Sequence, residues 1–223
     1  LCPGDSILLD GGNWASHTWS TGQTGRYISI TESESVSVTV TNALGVPVAS
    51  DTLVIEASAF PNYSTSVMEP TCYGFNNGSI ELIADSTQAI TSITWNTNQH
   101  ENFISDLQAG MYSFTLNFGF GCSLNDTVEL TNPPPIQLSE ITSEIVAEEN
   151  SVCPHTYTLA ASASGGSGDY TFSWEFFMGT STTPFLIETG DTVECIPANG
   201  FRVVCKVQDV NTCIDSSVVQ LDV

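Results

Sequence analysis

The run SVSVTVTNA (Ser35–Ala43) alternates β-branched apolar residues with small polar ones, and this alternation determines the fold prediction. Successive side chains on a β-strand point to opposite faces, so a period of two predicts a strand with one buried face. The pattern returns in GMYSFTLNF (Gly110–Phe118) and in FRVVCKVQD (Phe201–Asp209). Because no segment shows a helical period, the sequence predicts an all-β protein.

Three segments share one order of features. Each begins with a cysteine among turn residues, reaches a tryptophan in an alternating run, continues to the strand quoted above and ends in an Asp-led β-run. The cysteines are Cys2, Cys72 and Cys153, and the tryptophans are Trp19, Trp95 and Trp174. Self-similarity of this kind predicts three tandem antiparallel β-sandwich modules in an extended rod, with the tryptophans as core anchors.

Linker composition sets the expected domain boundaries at residues 1–57, 58–132 and 133–223. The triple proline Pro133–Pro135 predicts a short, stiff connector before the third module. The second and third modules have an alternating lead-in before their cysteine, whereas the first starts at Cys2 without one. We therefore expect the first module to lack its first strand. Either that strand lies in a preceding segment, with Leu1 a processing boundary within a longer chain, or another chain donates it.

Charge is the unusual feature of the composition. The chain of 223 residues has 25 acidic residues and only three basic ones, for a net charge of -22. Nucleic-acid binding needs clustered Lys and Arg, so this class of partner is excluded, and adhesion to anionic lipid is disfavoured. No apolar run approaches the roughly 20 residues that a membrane-spanning helix needs. The polar Ser/Thr/Asn-rich composition favours an extracellular protein.

Seven cysteines favour an oxidising compartment, and their positions suggest disulfides within modules. Cys72 opens the second module and Cys122 precedes its last strand, so we expect these two to pair. Cys153 and Cys213 occupy the equivalent places in the third module. Cys195 and Cys205 remain as the other candidate bridge, although four cysteines in one module allow three connectivities. Cys2 is left odd, either free or paired with a cysteine upstream.

The second module resembles the SprB-type repeat of Bacteroidetes gliding-motility and giant surface adhesins. The resemblance rests on CYGFNNGSIELIA, ITWN, LQAGMYSFTLNFGFGC and the terminal NPPPI, and it spans Cys72–Ile136. The first and third modules are more loosely similar to the PKD-like or Ig-like modules that accompany such repeats. The first departs by lacking a second cysteine, and the third by its additional cysteine pair.

This resemblance implies a non-enzymatic stalk segment of a large secreted cell-surface adhesin, exported by type IX secretion. The expected partners are neighbouring modules of the same long chain, with glycans or other surface proteins as further candidates. Two alternatives stay open. One is a filament-forming surface subunit assembled by strand donation, and the other is a set of accessory β-modules of a secreted polysaccharide-degrading enzyme.

A short motif fits the same setting. Bacteroidetes O-glycosylation is associated with Asp followed by Ser or Thr and then an apolar residue or Thr. The candidate sites are Ser6, Thr52, Ser86, Thr127 and Thr192. Several lie near a predicted strand start, where the same dipeptide also serves turn chemistry.

No catalytic residue is expected. His17, His100 and His155 fall in separate modules, and we expect them to be incidental surface residues. No cofactor motif is present. Calcium is the one ion considered, with Asp209, Asn211 and Asp215 as weak oxygen-ligand candidates, although no EF-hand spacing appears and a solvated acidic face is the favoured interpretation.

Overall fold

In the computed structural model the protein is built from β-strands. The structure describes residues 1–85, 90–146, 156–195 and 201–221. Within these residues there is no α-helix, and the one helical element is a 3-10 turn at Gly119–Gly121. No described helix is long and apolar enough to cross a membrane. The prediction of an all-β fold made of antiparallel β-sandwich modules is confirmed.

Twenty strands follow one another along the described chain. In order they are β1 (Ile7–Asp10), β2 (Ser16–Trp19), β3 (Tyr27–Ile30), β4 (Glu34–Thr41), β5 (Pro47–Ile55), β6 (Tyr63–Met68), β7 (Gly78–Ala84), β8 (Ile90–Trp95), β9 (Phe103–Leu107), β10 (Gly110–Phe118), β11 (Cys122–Leu130), β12 (Gln137–Leu138), β13 (Thr142–Val146), β14 (Thr156–Ala160), β15 (Ala163–Ser164), β16 (Thr171–Met178), β17 (Leu186–Thr189), β18 (Thr192–Cys195), β19 (Phe201–Gln208) and β20 (Ile214–Leu221).

The chain divides into two compact units. The first contains Leu1–Ser66, Ile80–Ile104 and Met111–Val128, and the second contains Val67–Ser79, Ser105–Gly110 and Glu129–Val223. Hydrogen-bonded sheets follow a finer division, because no sheet combines strands from both sides of residue 57 or of residue 132. The boundaries 1–57, 58–132 and 133–223 stay a prediction.

The first sandwich consists of a two-stranded sheet, β1-β3, facing a three-stranded sheet, β2-β4-β5. Its core is small, and the fully or nearly buried members are Trp19, Ile28, Ile30, Val36 and Ile55. These residues come from alternate positions of their strands, as the period of two requires. Strand β5 departs from this rule, because eight of its nine residues are exposed.

The second sandwich has sheets β6-β7-β9 and β11-β10-β8. Trp95 is buried against Phe114, with ring centroids 4.9 Å apart. Ile80, Leu82 and Leu116 are also buried, so the apolar residues of SIEL, which alternate with polar ones, face inward.

The third sandwich has sheets β13-β14-β18 and β17-β16-β19-β20, and a short pair, β12-β15. Its core contains Tyr157, Leu159, Trp174, Phe176, Val193, Val203, Cys205 and Leu221.

The three tryptophans are core residues, as predicted. Trp19, Trp95 and Trp174 are each at most 5% exposed. Every indole N–H donates to a backbone carbonyl, at 2.7 Å to Gly25, 2.9 Å to Glu101 and 2.8 Å to Gly190. A buried indole without a partner would cost the desolvation of its N–H, so these hydrogen bonds allow each ring to lie wholly inside.

Two of the tryptophans begin the same turn. In Trp19–Gly25 and in Trp95–Glu101, the backbone N–H of the tryptophan donates to the backbone carbonyl of the glutamine four residues later, at 3.0 Å and 2.9 Å. The residue before the glutamine is Gly22 or Asn98, with φ of 83° and 62°. Glycine and asparagine tolerate this left-handed conformation best. The shared pattern W-x-T-G/N-Q is therefore a further sequence repeat between the first two modules.

Candidate functional site

Two disulfides cross-link the described residues. Cys2 bonds Cys122 and Cys72 bonds Cys213, with Cα–Cα distances of 5.4 Å and 5.5 Å. Cysteine can bridge only when the Cα atoms lie within about 7 Å, and this condition selects partners from successive modules. The predicted pairings Cys72–Cys122 and Cys153–Cys213 are therefore wrong.

The pairing follows a simple rule along the chain. The cysteine that opens one sandwich bonds the cysteine near the last strand of the next sandwich. Cys2, which had no expected partner in the sequence, is the first member of this series. The signal was available, because an opening cysteine without a second cysteine in its own module needs a partner elsewhere.

Backbone geometry brings Cys2 and Cys122 together. The Leu1 ammonium donates to the Glu56 carbonyl at 2.7 Å, and the Ser58 N–H donates to the Leu1 carbonyl at 2.8 Å. Before Cys122 the chain turns sharply, with positive φ at Phe120 and the following glycine. A Cβ on Gly119 would lie 2.7 Å from the Ser58 hydroxyl, so a side chain at this position would require the Ser58 side chain to move.

Cys205 forms no disulfide. It is a fully buried thiol on β19, opposite Trp174 of β16, and burial raises its pKa to about 11. The predicted Cys195–Cys205 bridge is therefore wrong. The only physical basis for this bridge was that both side chains were expected to point inward, and a shared inward orientation does not place two sulfurs within bonding distance. Cys153 and the side chain of Cys195 lie outside the described residues.

The order of the bonded cysteines has a covalent consequence. The bonded cysteines follow one another along the chain at positions 2, 72, 122 and 213. The loop closed by each disulfide therefore contains one cysteine of the other disulfide. Reduced, the chain from Cys2 to Cys213 can extend through all 211 intervening peptide units. When both disulfides are formed, the shortest covalent path from Cys2 to Cys213 crosses to Cys122, follows the 50 peptide units back to Cys72, and crosses to Cys213.

Two of the three calcium candidates, Asp209 and Asp215, accept hydrogen bonds from backbone N–H groups. Asp209 is 4% exposed, and its carboxylate accepts N–H hydrogen bonds from Asn211, Cys213 and Ser167, each at 2.9 Å. Asp215 accepts from the backbone of Leu138 at 2.8 Å and of Ser216 at 2.8 Å.

Among the described residues, no three His, Cys, Asp or Glu side chains are grouped as a metal site would require. The oxygens of Asp209 and Asp215 that the prediction assigned to calcium are engaged with backbone groups, and the Asn211 amide donates to the Ser167 hydroxyl at 2.7 Å. Calcium binding stays a prediction.

The candidate O-glycosylation sites are accessible where the structure describes them. Ser6, Thr52, Thr127 and Thr192 are exposed, and Ser86 lies outside the described residues. At Thr52 and Thr127 the preceding aspartate accepts the threonine N–H, at 2.8 Å and 2.7 Å, which shows the turn chemistry as well. Glycosylation stays a prediction.

The histidines differ from one another in burial. His17 is 7% exposed, and its Nε2 lies 2.9 Å from the Gly12 carbonyl, so the expectation of a surface residue is wrong for this position. The signal was available, because His17 lies two residues before the predicted core residue Trp19 and therefore shares its face of strand β2. His100 is exposed, and His155 lies outside the described residues.

Tyrosine 63 closes one side of the second sandwich. Its ring meets the Phe114 ring edge-on at 5.7 Å, and its hydroxyl donates to Asp126. Burial, and secondarily this hydrogen bond, raises the pKa of Tyr63 to about 12, and the same bond lowers the pKa of Asp126. Strand β6 therefore contributes a side chain that bridges to the opposite sheet.

Comparisons with known proteins give no family assignment. No protein-family model matches the sequence, and no curated protein matches it. The solved structures that resemble it include the fibronectin(III)-like modules of Clostridium thermocellum CbhA, at 12% identity and a TM-score of 0.32, covering 72% of this chain and 94% of that one.

Two further similar structures are extracellular domains 3-5 of Drosophila OTK and the N-terminal four Ig domains of Dscam1 isoform 6.44. The first is 13% identical with a TM-score of 0.32, covering 99% of this chain and 92% of that one. The second is 11% identical with a TM-score of 0.27, covering 99% and 74%. At these scores no residue role and no function carries over to this chain.

Proposed function

We propose that this chain is a non-enzymatic structural stalk segment of a large secreted cell-surface adhesin, made of three modules at 1–57, 58–132 and 133–223. Its partners are neighbouring modules of the same long chain, and glycans or other surface proteins at the adhesive end. The setting is extracellular, with type IX export and gliding or adhesion as the resemblance of the second module implies.

The observation that carries this proposal is the pair of overlapping disulfides. Cys2–Cys122 and Cys72–Cys213 link successive sandwiches rather than closing each one on itself. A disulfide within a module would stabilise that module but would not limit how far neighbouring modules separate. A bond from one module to the next limits their separation covalently, which suits a segment that bears tension.

Composition supports the same function. A small sandwich buries limited surface, so covalent cross-links contribute to its stability. Three basic residues leave few cleavage sites for trypsin-like proteases outside a cell. The sheet boundaries near residues 57 and 132 support the proposed modules, and the four exposed candidate threonines and serines support a glycoprotein.

Force spectroscopy on the full chain, tethered at both ends, tests the mechanical role. With both disulfides intact, the segment between Cys2 and Cys213 should extend to roughly 170 Å, because only 50 peptide units lie on its shortest path. A double variant Cys72→Ser, Cys213→Ser should extend to roughly 310 Å, and the reduced chain to roughly 720 Å.

Cys205→Ala is the matched control, since Cys205 is outside both disulfides and should leave the 170 Å limit unchanged. Full extension without reductant would contradict the proposal. On intact producing cells, the chain should also be labelled by an amine- or carboxyl-reactive reagent that cannot enter cells, and protection from that reagent would contradict a surface location.

A further inference from the structure

One cleft in the second compact unit has walls that are almost entirely apolar. It has a volume of about 180 Å³, and its lining includes both cysteines of the Cys72–Cys213 disulfide, the rings of Tyr73 and Phe75, and the triple proline Pro133–Pro135. Tyr73 and Phe75 are 60% and 50% exposed. Drug-sized ligands occupy clefts of roughly 300–1,000 Å³, so this cleft suits a smaller chemical group.

The loop that carries the two rings is held in place by side-chain hydrogen bonds. The Asn77 side chain accepts the Thr71 N–H at 3.0 Å and donates to the Thr71 hydroxyl at 2.8 Å. Between the two rings, the Gly74 N–H donates to the side chain of Asn132 at 3.0 Å. This wall of the cleft is therefore formed before any ligand arrives.

The proline wall is fixed as well. The Gly166 N–H donates to the Pro134 carbonyl at 2.8 Å. A Cβ on Gly165, where φ is 77°, would lie 2.0 Å from the Pro135 carbonyl oxygen, so the prolines lie directly against a backbone without side chains. A preformed site loses little conformational freedom when it binds, which favours recognition of even a small group.

Two carboxylates give the cleft a negative charge. Asp215 lines it, and both of its oxygens accept backbone N–H hydrogen bonds at 2.8 Å. Asp209 is buried behind Gly166, since a Cβ on that glycine would lie 2.7 Å from an Asp209 oxygen. Its hydrogen bonds also come from backbone N–H groups. Neutral N–H groups satisfy the oxygens but leave the charge of both carboxylates uncompensated.

No Lys or Arg of this sequence supplies the missing positive charge. The three such side chains contact other groups: Arg26 donates to Asp10, Lys206 to Glu175 and Arg202 to the Ser181 carbonyl. Apolar walls screen a charge less than water does, so the cleft attracts cations from outside the sequence.

The hydrogen-bonding state of the cleft selects the kind of cation. Among the described residues that line it, only Tyr73 and Asp215 have polar side chains, and the Asp215 oxygens are already engaged. A sugar needs several polar partners for its hydroxyls, and calcium needs several oxygen ligands. A quaternary ammonium group needs neither, because it has no N–H donors and is attracted to the faces of aromatic rings.

We propose that this cleft binds the trimethylammonium group of a small cationic compound. The rings of Tyr73 and Phe75 and the proline wall contact its methyl groups, while Asp215 and Asp209 balance its charge. Free choline and the head group of phosphatidylcholine carry the same group. The binding is separate from the stalk function and does not rest on it.

The probe is choline, titrated into the full oxidised chain and followed by the NMR shifts of backbone amides. Saturable shifts are expected at Gly74 and Gly166, with a dissociation constant on the order of 1 mM. The matched ligand is the neutral analogue of choline in which a carbon atom replaces the nitrogen. It has the same shape without the charge, so it should bind at least about tenfold more weakly.

Ring variants test the aromatic contacts. Tyr73→Ala and Phe75→Ala should each weaken choline binding about fivefold, whereas Tyr73→Phe keeps the ring and should change it less than about twofold. Phe103→Ala is the matched control, because this ring of β9 is as exposed but lies outside the cleft, and it should leave binding unchanged. Circular dichroism checks that each variant is folded.

Asp215→Asn tests the charge, since the amide oxygen can still accept a backbone N–H. It should weaken choline binding about fivefold and leave binding of the neutral analogue unchanged. Sedimentation with phosphatidylcholine vesicles distinguishes the two sources. Cosedimentation that choline competes away assigns the lipid head group, and choline binding without cosedimentation assigns a soluble compound.

Four results would overturn the proposal. They are absence of saturable shifts up to about 20 mM choline, equal affinity for the neutral analogue, equal loss of binding in Phe103→Ala and Phe75→Ala, and displacement of choline by calcium at equal concentration. The last result would identify a metal site instead. None of these results bears on the disulfide-limited extension proposed above.

Discussion

Tyr63 of β6 donates its hydroxyl hydrogen bond to Asp126 of β11, and so joins the two sheets of the second sandwich through side chains. The bond pairs a half-buried phenol with an exposed carboxylate. Burial, and secondarily this bond, raises the pKa of the phenol, and the bond lowers the pKa of the carboxyl, since it favours the neutral tyrosine and the charged aspartate.

Removing this hydroxyl should destabilise the second sandwich. Tyr63→Phe keeps the ring contact with Phe114 and loses the hydrogen bond, so the free energy of unfolding should fall by about 1 kcal/mol after allowance for solvent screening. Urea unfolding measures this change. Tyr27→Phe is the control. The ring at position 27 is exposed, and the phenylalanine ring keeps the contact with Arg26, so the stability of the protein should be unchanged. Equal effects of the two variants would contradict the assigned role.

The same pair predicts a pH dependence with two limits. The pKa of Tyr63 is raised from 10 to about 12, so its contribution is complete below pH 10 and is lost as the pH rises towards 12. The pKa of Asp126 is lowered from 3.8, so its contribution is present above that value and is lost as the pH falls below it. Stability differences between the wild type and Tyr63→Phe should shrink at both ends. A constant difference from pH 3 to 12 would be inconsistent with this linkage.

Asp10 should titrate unusually low. The Arg26 guanidinium donates to both carboxylate oxygens of Asp10, and this pairing, with the Gly12 N–H, lowers the pKa of Asp10 to about 2. Its stabilising contribution is therefore present above pH 3.8 and lost as the pH falls towards 2. Carboxyl-carbon NMR titration should give a midpoint near 2, and Arg26→Gln should move it up towards 3.8. An unchanged midpoint in that variant would exclude Arg26 as the cause.

Asp209 should be a stability determinant of the third sandwich. Asp209→Ala leaves three backbone N–H groups without their acceptor, and one of them, that of Cys213, is buried, so the free energy of unfolding should fall by about 2 kcal/mol. Thermal or urea unfolding reports the loss. Asp5→Ala, at an exposed position, should change stability by less than about 0.5 kcal/mol. A small effect of Asp209→Ala would show that water replaces the carboxylate.

Trypsin alone should report the disulfide connectivity. Cleavage after Arg26, Arg202 and Lys206 gives fragments 1–26, 27–202, 203–206 and 207–223. Cys2–Cys122 and Cys72–Cys213 should hold the first, second and fourth together as one species until reduction. Release of 1–26 from the unreduced digest would contradict the Cys2–Cys122 bond.

The remaining tryptic fragment, VVCK, tests the Cys205 thiol. Iodoacetamide should alkylate it only in denaturant, because the thiol is buried and its pKa is raised to about 11. Cys2, which is half-buried, provides the more reactive comparison once its disulfide has been reduced under mild conditions. Alkylation of VVCK in the native protein at neutral pH would show that β19 opens locally.

Native material should carry mass beyond the polypeptide if the exposed Asp-Ser/Thr sites are glycosylated. Intact mass spectrometry of the secreted protein checks this, and Thr52→Val and Thr127→Val should each remove one glycan mass. A mass equal to the bare polypeptide would exclude the modification.

Local patterns were sufficient for the strands and the tryptophans, because period-two alternation around Val36 and Phe114 records which side chains are buried. The same alternation places His17 on the inward face of β2 with Trp19, although histidine is a residue type more often found at the surface. The sequence predicts Asp209 only as a possible oxygen ligand. Its three N–H partners depend on the geometry of a turn, and the amino-acid sequence does not specify that geometry.

The sequence by itself determined the all-β class and the repeated order of cysteine, tryptophan and strand. Tertiary structure decided which cysteines meet. The physical reason is distance. Strand formation depends on neighbours two residues apart, whereas Cys2 and Cys122 are 120 positions apart and bond because folding brings their Cα atoms to 5.4 Å.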